Sequence, residues 1–199
     1  MGELAEHWSS RYRENDYRNL SWWSPHLTLS LRLLNEYSLT RQALIDVGAG
    51  TSTLSADALE AGWTDVTILD IAESVIKIAN ASLPKGITSI AADIRQWEPT
   101  RQFTAWHDRA TFHFLISDDD VNRYVSLVKQ SVSTGGILIV GVFSPDGPES
   151  CSGLPVRRWN TDQFERFFAP IGPLVHHETE VHETPTGVKQ PFNWFVVRR

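Results

Sequence analysis

Leu44-Ile45-Asp46-Val47-Gly48-Ala49-Gly50-Thr51-Ser52-Thr53 decides how this chain folds. An apolar run, an acid, two glycines one residue apart and then small hydroxyl residues describe a strand that ends in a nucleotide-binding turn. Glycine lets backbone amides approach a ligand that any Cβ would push away. A helix opening near Thr51 to Thr53 sets its positive N-terminal end beside the same ligand. The dinucleotide fingerprint requires a third glycine where Thr53 stands.

Working outward, Val66-Thr67-Ile68-Leu69-Asp70 is a second β-branched strand with an acid at its end. A carboxylate about 20 residues beyond the turn can accept both hydrogen bonds of a ribose diol. Ile87-Thr88-Ser89-Ile90-Ala91-Ala92 is a third strand, closed by Asp93, where an acid can accept from an adenine amino group. Each acid alone could equally cap the helix that follows it. Three acids closing successive strands favour a nucleoside site, and Asp46 with Thr53 in the third-glycine place suits S-adenosylmethionine better than NAD.

The remaining pattern alternates strands and helices. Helices are expected over Glu3–Asn15, from Ser24-Pro25 to Tyr37, over Ser52–Ala61, Ala72–Ser82, Ser117 or Asp118 to Val132, and Thr161–Phe168. Strands are expected over Ala43–Val47, Val66–Leu69, Thr88–Ala91, Phe103–His107 and Ile137–Phe143, the last opened by Gly135-Gly136. A terminal hairpin runs through Leu174–Glu183 and Phe192–Val197, turning at Pro185-Thr186-Gly187. This order implies an α/β, Rossmann-like, doubly wound and mostly parallel sheet with one antiparallel strand. Ligands in such sheets sit at the carboxyl ends of the strands, at the switch point.

With these motifs, the chain resembles the class I S-adenosylmethionine-dependent methyltransferases over nearly its whole length. Within them it resembles a group of small bacterial proteins matched by His7-Trp8, Tyr12, Ser21-Trp22-Trp23-Ser24-Pro25-His26, Trp106 to Leu115 and Asp146 to Pro155. That group bears a looser likeness to thiopurine-type and elongation-factor-lysine methyltransferases. The resemblance implies a seven-stranded sheet ordered 3-2-1-4-5-7-6 and S-adenosylmethionine as cofactor. The residues expected to face it are Asp46, Gly48, Ala49, Gly50, Thr51 and Ser52 of the turn, then Asp70, Ile71, Asp93, Ile94 and Asp108. Tyr12 and Trp22 are expected from an aromatic cover that also holds Trp8 and Trp23.

Methyl transfer from a sulfonium needs positioning more than covalent help, so no triad is expected. Asp108 is the candidate at the methionine end of the cofactor, and His113 is the candidate general base, since imidazole titrates near neutrality. Cys151 sits in a Gly/Pro/Ser-rich segment, Ser144–Pro155, expected to form the acceptor side of the pocket. No partner able to make it a thiolate is legible. His176, His177 and His182 alternate with glutamates along a strand, so neighbouring side chains diverge, and no metal site is expected.

Composition bounds the rest. At 199 residues the chain suits a single domain. Within it, 1–37 are N-terminal helices and cover, 43–143 the cofactor-binding core, and 144–199 a substrate-side loop, helix and hairpin. A hydrophobic share of 41% and a charged share of 21% are ordinary for a globular protein. A net charge of −6 argues against a nucleic-acid partner. One cysteine excludes an internal disulfide framework. With no signal-like apolar segment and no apolar run of membrane length, a cytoplasmic enzyme is expected. The Asn/Asp-Pro-Pro-Tyr/Phe signature of amide and adenine methylation is replaced by His107-Asp108-Arg109-Ala110. The expected activity is methylation of a small-molecule oxygen, nitrogen or sulfur. The alternatives are protein-lysine methylation, suggested by the Asp108-Arg109 pair, and cofactor binding without turnover.

Overall fold

The computed structural model describes residues 2–199. The chain builds a seven-stranded sheet from β1 (Ala43–Val47), β2 (Asp65–Asp70), β3 (Ile87–Ala91), β4 (Phe103–Arg109), β5 (Val132–Phe143), and the hairpin β8 (Leu174–Glu183) and β9 (Lys189–Arg198). A two-stranded ribbon, β6 (Ser150–Cys151) and β7 (Leu154–Pro155), stands apart from it. The sheet order is β3-β2-β1-β4-β5-β9-β8, with β9 antiparallel to both its neighbours. This is the expected 3-2-1-4-5-7-6 order, counted over the sheet strands alone.

Helices α1 (Glu3–Glu14), α2 (Thr28–Tyr37), α3 (Leu54–Glu60), α4 (Glu73–Ser82), α5 (Asp118–Ser131) and α6 (Thr161–Phe168) complete the fold. On one face of the sheet, α5 and α6 bury Val121, Tyr124, Val128, Phe164 and Phe168 against Ile45, Trp106 and Leu138. On the other, α2 and α3 bury Leu33, Leu34, Leu54 and Ala58 against Leu44, Ala105 and Ile139. Burying a large aliphatic or aromatic side chain contributes about 1.5–3 kcal/mol, so these two faces hold the sheet. The α5 start follows from its sequence: Ser117 Oγ accepts from the Asp120 amide at 3.1 Å, and three aspartates occupy the first turn.

Among the boundaries that differ from expectation are three at α2, β5 and β4. Ser24-Pro25 forms a turn, Ser24 Oγ donating to the His26 carbonyl, and α2 begins only at Thr28. Gly135-Gly136 lies inside β5, where it absorbs a register shift between the Phe103–Val132 and Ala105–Ile137 pairs. Strand β4 continues two residues past His107, because Asp108 and Arg109 pair with Val140 and Gly141 of β5. That extension throws Asp108 and Arg109 to opposite faces and governs the site.

Candidate active site

The turn after β1 meets the ends of β2 and β4 at the switch point. Gly48 stands at φ +66, and a Cβ there would lie 1.7 Å from Thr111 Oγ1, so the close approach of the segment after β4 requires glycine. Gly50 stands at φ +56, and its missing Cβ leaves room for the Tyr12 hydroxyl. The Gly50 amide donates to Asp70 Oδ2 at 3.0 Å, and the Ala72 amide donates to Oδ1 at 2.9 Å. Burial pushes the Asp70 carboxyl up to about 6, against the pull of those two amides.

Asp70 opens into a cavity walled by Ile71, Asp93, Ile94 and Thr111 and roofed by Trp8, Tyr12 and Trp22. It encloses about 740 Å³ with its mouth. Its apolar lining and single deep carboxylate suit a purine with its ribose. Asp93 faces the cavity but is strapped by Arg95, whose Nη2 donates at 2.6 Å and Nε at 3.0 Å. Burial raises the Asp93 carboxyl, the Arg95 bonds outweigh it, and the net displacement is downward.

A second cavity lies beside the first, and Gly48 and Trp22 border both. Ala49, Thr51 and Ser52 line it with Asp46, Trp23, His107 and Arg109. Asp46 Oδ1 pairs with His107 Nδ1 at 2.7 Å, while His107 Nε2 meets Ser30 Oγ at 2.9 Å. Asp46 Oδ2 is buried without a protein partner. The cover is held by a hydrogen bond from Trp22 Nε1 to Tyr12 Oη at 3.1 Å. Edge-on contacts of Trp8 with Trp22 and Phe114 at 5.7 and 5.1 Å extend it. Helix α1, which carries Trp8 and Tyr12, rests against α4.

Both candidate catalytic residues lie elsewhere. Asp108 is wholly buried on the α5 side, where it accepts from the Thr111 and Phe112 amides and from the Tyr124 hydroxyl at 2.7 Å. Burial pushes it up to about 6. Its lone pairs are committed to shaping the turn after β4, and it lines neither cavity. His113 is also wholly buried, between Phe114 and Phe143, with both ring nitrogens unpartnered. Burial first, then the Arg109 charge, pull it down to about 3, which makes it a poor base facing no cavity.

The Ser144–Pro155 segment lines neither cavity. It folds into the β6–β7 ribbon, and Gly153 of its turn stands at φ +81, with the Arg11 guanidinium of α1 nearby. Cys151 is buried, and burial pushes its thiol up, away from thiolate chemistry. Among the described residues no cluster of metal-ligating side chains occurs, and no helix is long and apolar enough to cross a membrane. Thr111, Arg95 and Arg109 are cavity residues that sequence reasoning passed over. Strand alternation through Asp108-Arg109 was the available signal for the last.

Residues 44–136 match a family described as a methyltransferase domain. The chain is 26% identical over 141 residues to the eEF1A lysine and N-terminal methyltransferase of Bos taurus, covering 69% of this chain. It spans 20% of that relative's length. A SAM-dependent methyltransferase from Anabaena variabilis superposes with a TM-score of 0.76 at 14% identity, covering 100% of this chain and 96% of the other. A structure solved for the conversion of a disulfide bond into a thioacetal group during echinomycin biosynthesis gives 0.76 at 18% identity, covering 98% and 92%. Residues 44–136 are thus similar to a methyltransferase domain, and the chain as a whole shares the Rossmann-like fold seen in S-adenosylmethionine-dependent methyltransferases.

Proposed function

We propose that this chain transfers the methyl group of S-adenosylmethionine to a small-molecule acceptor. The observation that carries the reading is adjacency: two cavities that share Gly48 and Trp22 in their walls lie side by side at the switch point, where one extended ligand would reach from one to the other. Asp70 is the ribose acceptor, and Ile71 and Ile94 are the apolar walls for adenine. Asp93 turns the edge of its Arg95-bound carboxylate toward the base. Thr51, Ser52 and the unpartnered oxygen of Asp46 receive the amino-acid end. The bound cofactor supplies an electrophilic methyl group and leaves as a neutral thioether. Trp22 and Tyr12 exclude water and offer aromatic faces to a cation, worth about 0.5–2 kcal/mol each. Orientation of the acceptor does the rest, up to about 7–11 kcal/mol in well-aligned systems. Asp108 and His113 have no place in this scheme beyond support.

Asp70→Asn tests it by calorimetry with S-adenosylhomocysteine. Affinity should fall by about 1.5–3 kcal/mol, the range for hydrogen bonds to a charged group. A ribose diol donates to the ionised carboxylate, so parent affinity should strengthen as pH rises through about 6 and then level off. The variant should lose that dependence. Unchanged affinity would remove Asp70 from the ribose site, and selective NAD binding by the parent would overturn the reading. A second reading, methylation of a protein lysine, is supported by the bovine relative named above. Methyl incorporation into intact protein rather than into small-molecule extracts would favour it.

A further inference from the structure

Arg109 closes β4 on the cover side of the sheet, and its side chain borders the second cavity. Its single protein hydrogen bond runs from Nη1 to the Trp22 carbonyl at 2.9 Å. Among the described residues no carboxylate lies within ion-pair distance of it. Asp46 is taken by His107, and Glu180 accepts from Trp194 Nε1 at 2.9 Å. The face of Phe192 lies 5.3 Å from the guanidinium carbon. Burial pulls the Arg109 pKa down from its ordinary value, yet a guanidinium stays charged in a protein. The Glu180 and Asp46 charges act on it from beyond ion-pair distance, so this half-buried cation has no direct carboxylate partner, and an anion that enters the cavity would supply one.

We propose that Arg109 anchors the carboxylate of an anionic acceptor in the second cavity. The proposal rests on the methyltransferase reading and names the substrate class for that site. The planar fork of arginine matches a carboxylate through two parallel hydrogen bonds. Trp23 and Leu27, bordering the same cavity, give the acceptor an apolar body to lie against. The methyl donor also carries a carboxylate, but Thr51 and Ser52 provide polar partners for it on the glycine turn, independent of Arg109. A fixed cation here repels a lysine ammonium, which sets this acceptor class against the lysine reading.

The experiment begins with the whole chain and S-adenosylhomocysteine in calorimetry. Failure to bind it defeats the methyltransferase reading and the acceptor proposal with it. The loaded protein is then titrated with benzoate and with benzamide, its neutral near-isostere, following tryptophan fluorescence. Benzoate should bind at least tenfold more tightly than benzamide. Arg109→Met should erase that preference while holding S-adenosylhomocysteine affinity within threefold, and Arg109→Lys should keep part of the preference. A preference below tenfold in the parent, or no benzoate binding, overturns the proposal and leaves the methyltransferase reading standing. A greater than threefold loss of S-adenosylhomocysteine affinity in Arg109→Met overturns it as well, because the guanidinium then serves the methyl donor or the Trp22 roof rather than the acceptor. The parent comparison decides the matter if Arg109→Met does not fold.

Discussion

His113 is a buried imidazole with nothing to bond to, and its consequence is acid sensitivity rather than base catalysis. Its pKa is about 3 in the folded chain, whereas an unfolded histidine titrates near 6.5. The folded state therefore binds fewer protons between those values. Its contribution is fully present above about 6.5 and is lost progressively as pH falls toward 3. Asp70 and Asp108 slope the other way, because their folded values near 6 exceed the ordinary carboxylate range. Comparison of a single variant with the parent isolates the histidine. His113→Leu should lose less stability than the parent between pH 7.5 and pH 5 in urea melts, while binding S-adenosylhomocysteine as the parent does. An identical pH slope in the two proteins would show that His113 is not enclosed as described. A collapse of ligand affinity would return it to the site.

At the scale of elements, the cover α1 meets the glycine turn at Tyr12 Oη, above Gly50. A Cβ at Gly50 would stand 2.6 Å from that oxygen but 3.8 Å from the ring carbon bearing it. Gly50→Ala thus carries two costs, roughly 1–2 kcal/mol for an alanine held at positive φ and the displacement of Tyr12. Tyr12→Phe removes the second cost, and with it a hydrogen bond from Trp22 of about 0.5–1.5 kcal/mol. The double variant should be more stable, and bind S-adenosylhomocysteine better, than the sum of the single losses allows. Coupling should exceed about 0.5 kcal/mol in a double-mutant cycle. Additive losses would mean that the cover does not rest on the turn. The same element view explains what was legible beforehand. Asp46, the two glycines and Asp70 were readable because each ends a strand whose apolar run announces it. Asp108 became a candidate through the family resemblance, with β4 ended at His107. Two further strand residues send Asp108 to α5 and Arg109 to the cavity.

For the whole molecule, a mostly parallel sheet with one antiparallel strand was readable from the alternation of strands and helices and from the hairpin at Pro185-Thr186-Gly187, while the strand order came from the resemblance to the class I methyltransferases. What no local pattern carried was the packing of residues far apart in the chain. Tyr12 over Gly50 and Thr111 under Gly48 are such contacts, and they join the cover, the turn and the segment after β4 around one cavity. A ligand in that cavity touches α1, the turn after β1, the ends of β2 and β3 and the segment after β4 together. Its binding energy is therefore available to the whole fold and not only to a loop. At a hundredfold excess over Kd, a ligand specific for the native state stabilises it by about 2.7 kcal/mol. For a chain of this length that corresponds to roughly 5–11 °C in Tm. S-adenosylhomocysteine should produce such a shift in a single cooperative transition, and NAD at equal concentration should produce none. Trp22→Ala, which strips the roof shared by both cavities, should reduce the shift at a fixed ligand concentration. A biphasic transition, with only the early phase moved by ligand, would show that the cover melts independently and that the cavity does not bind the fold into one unit.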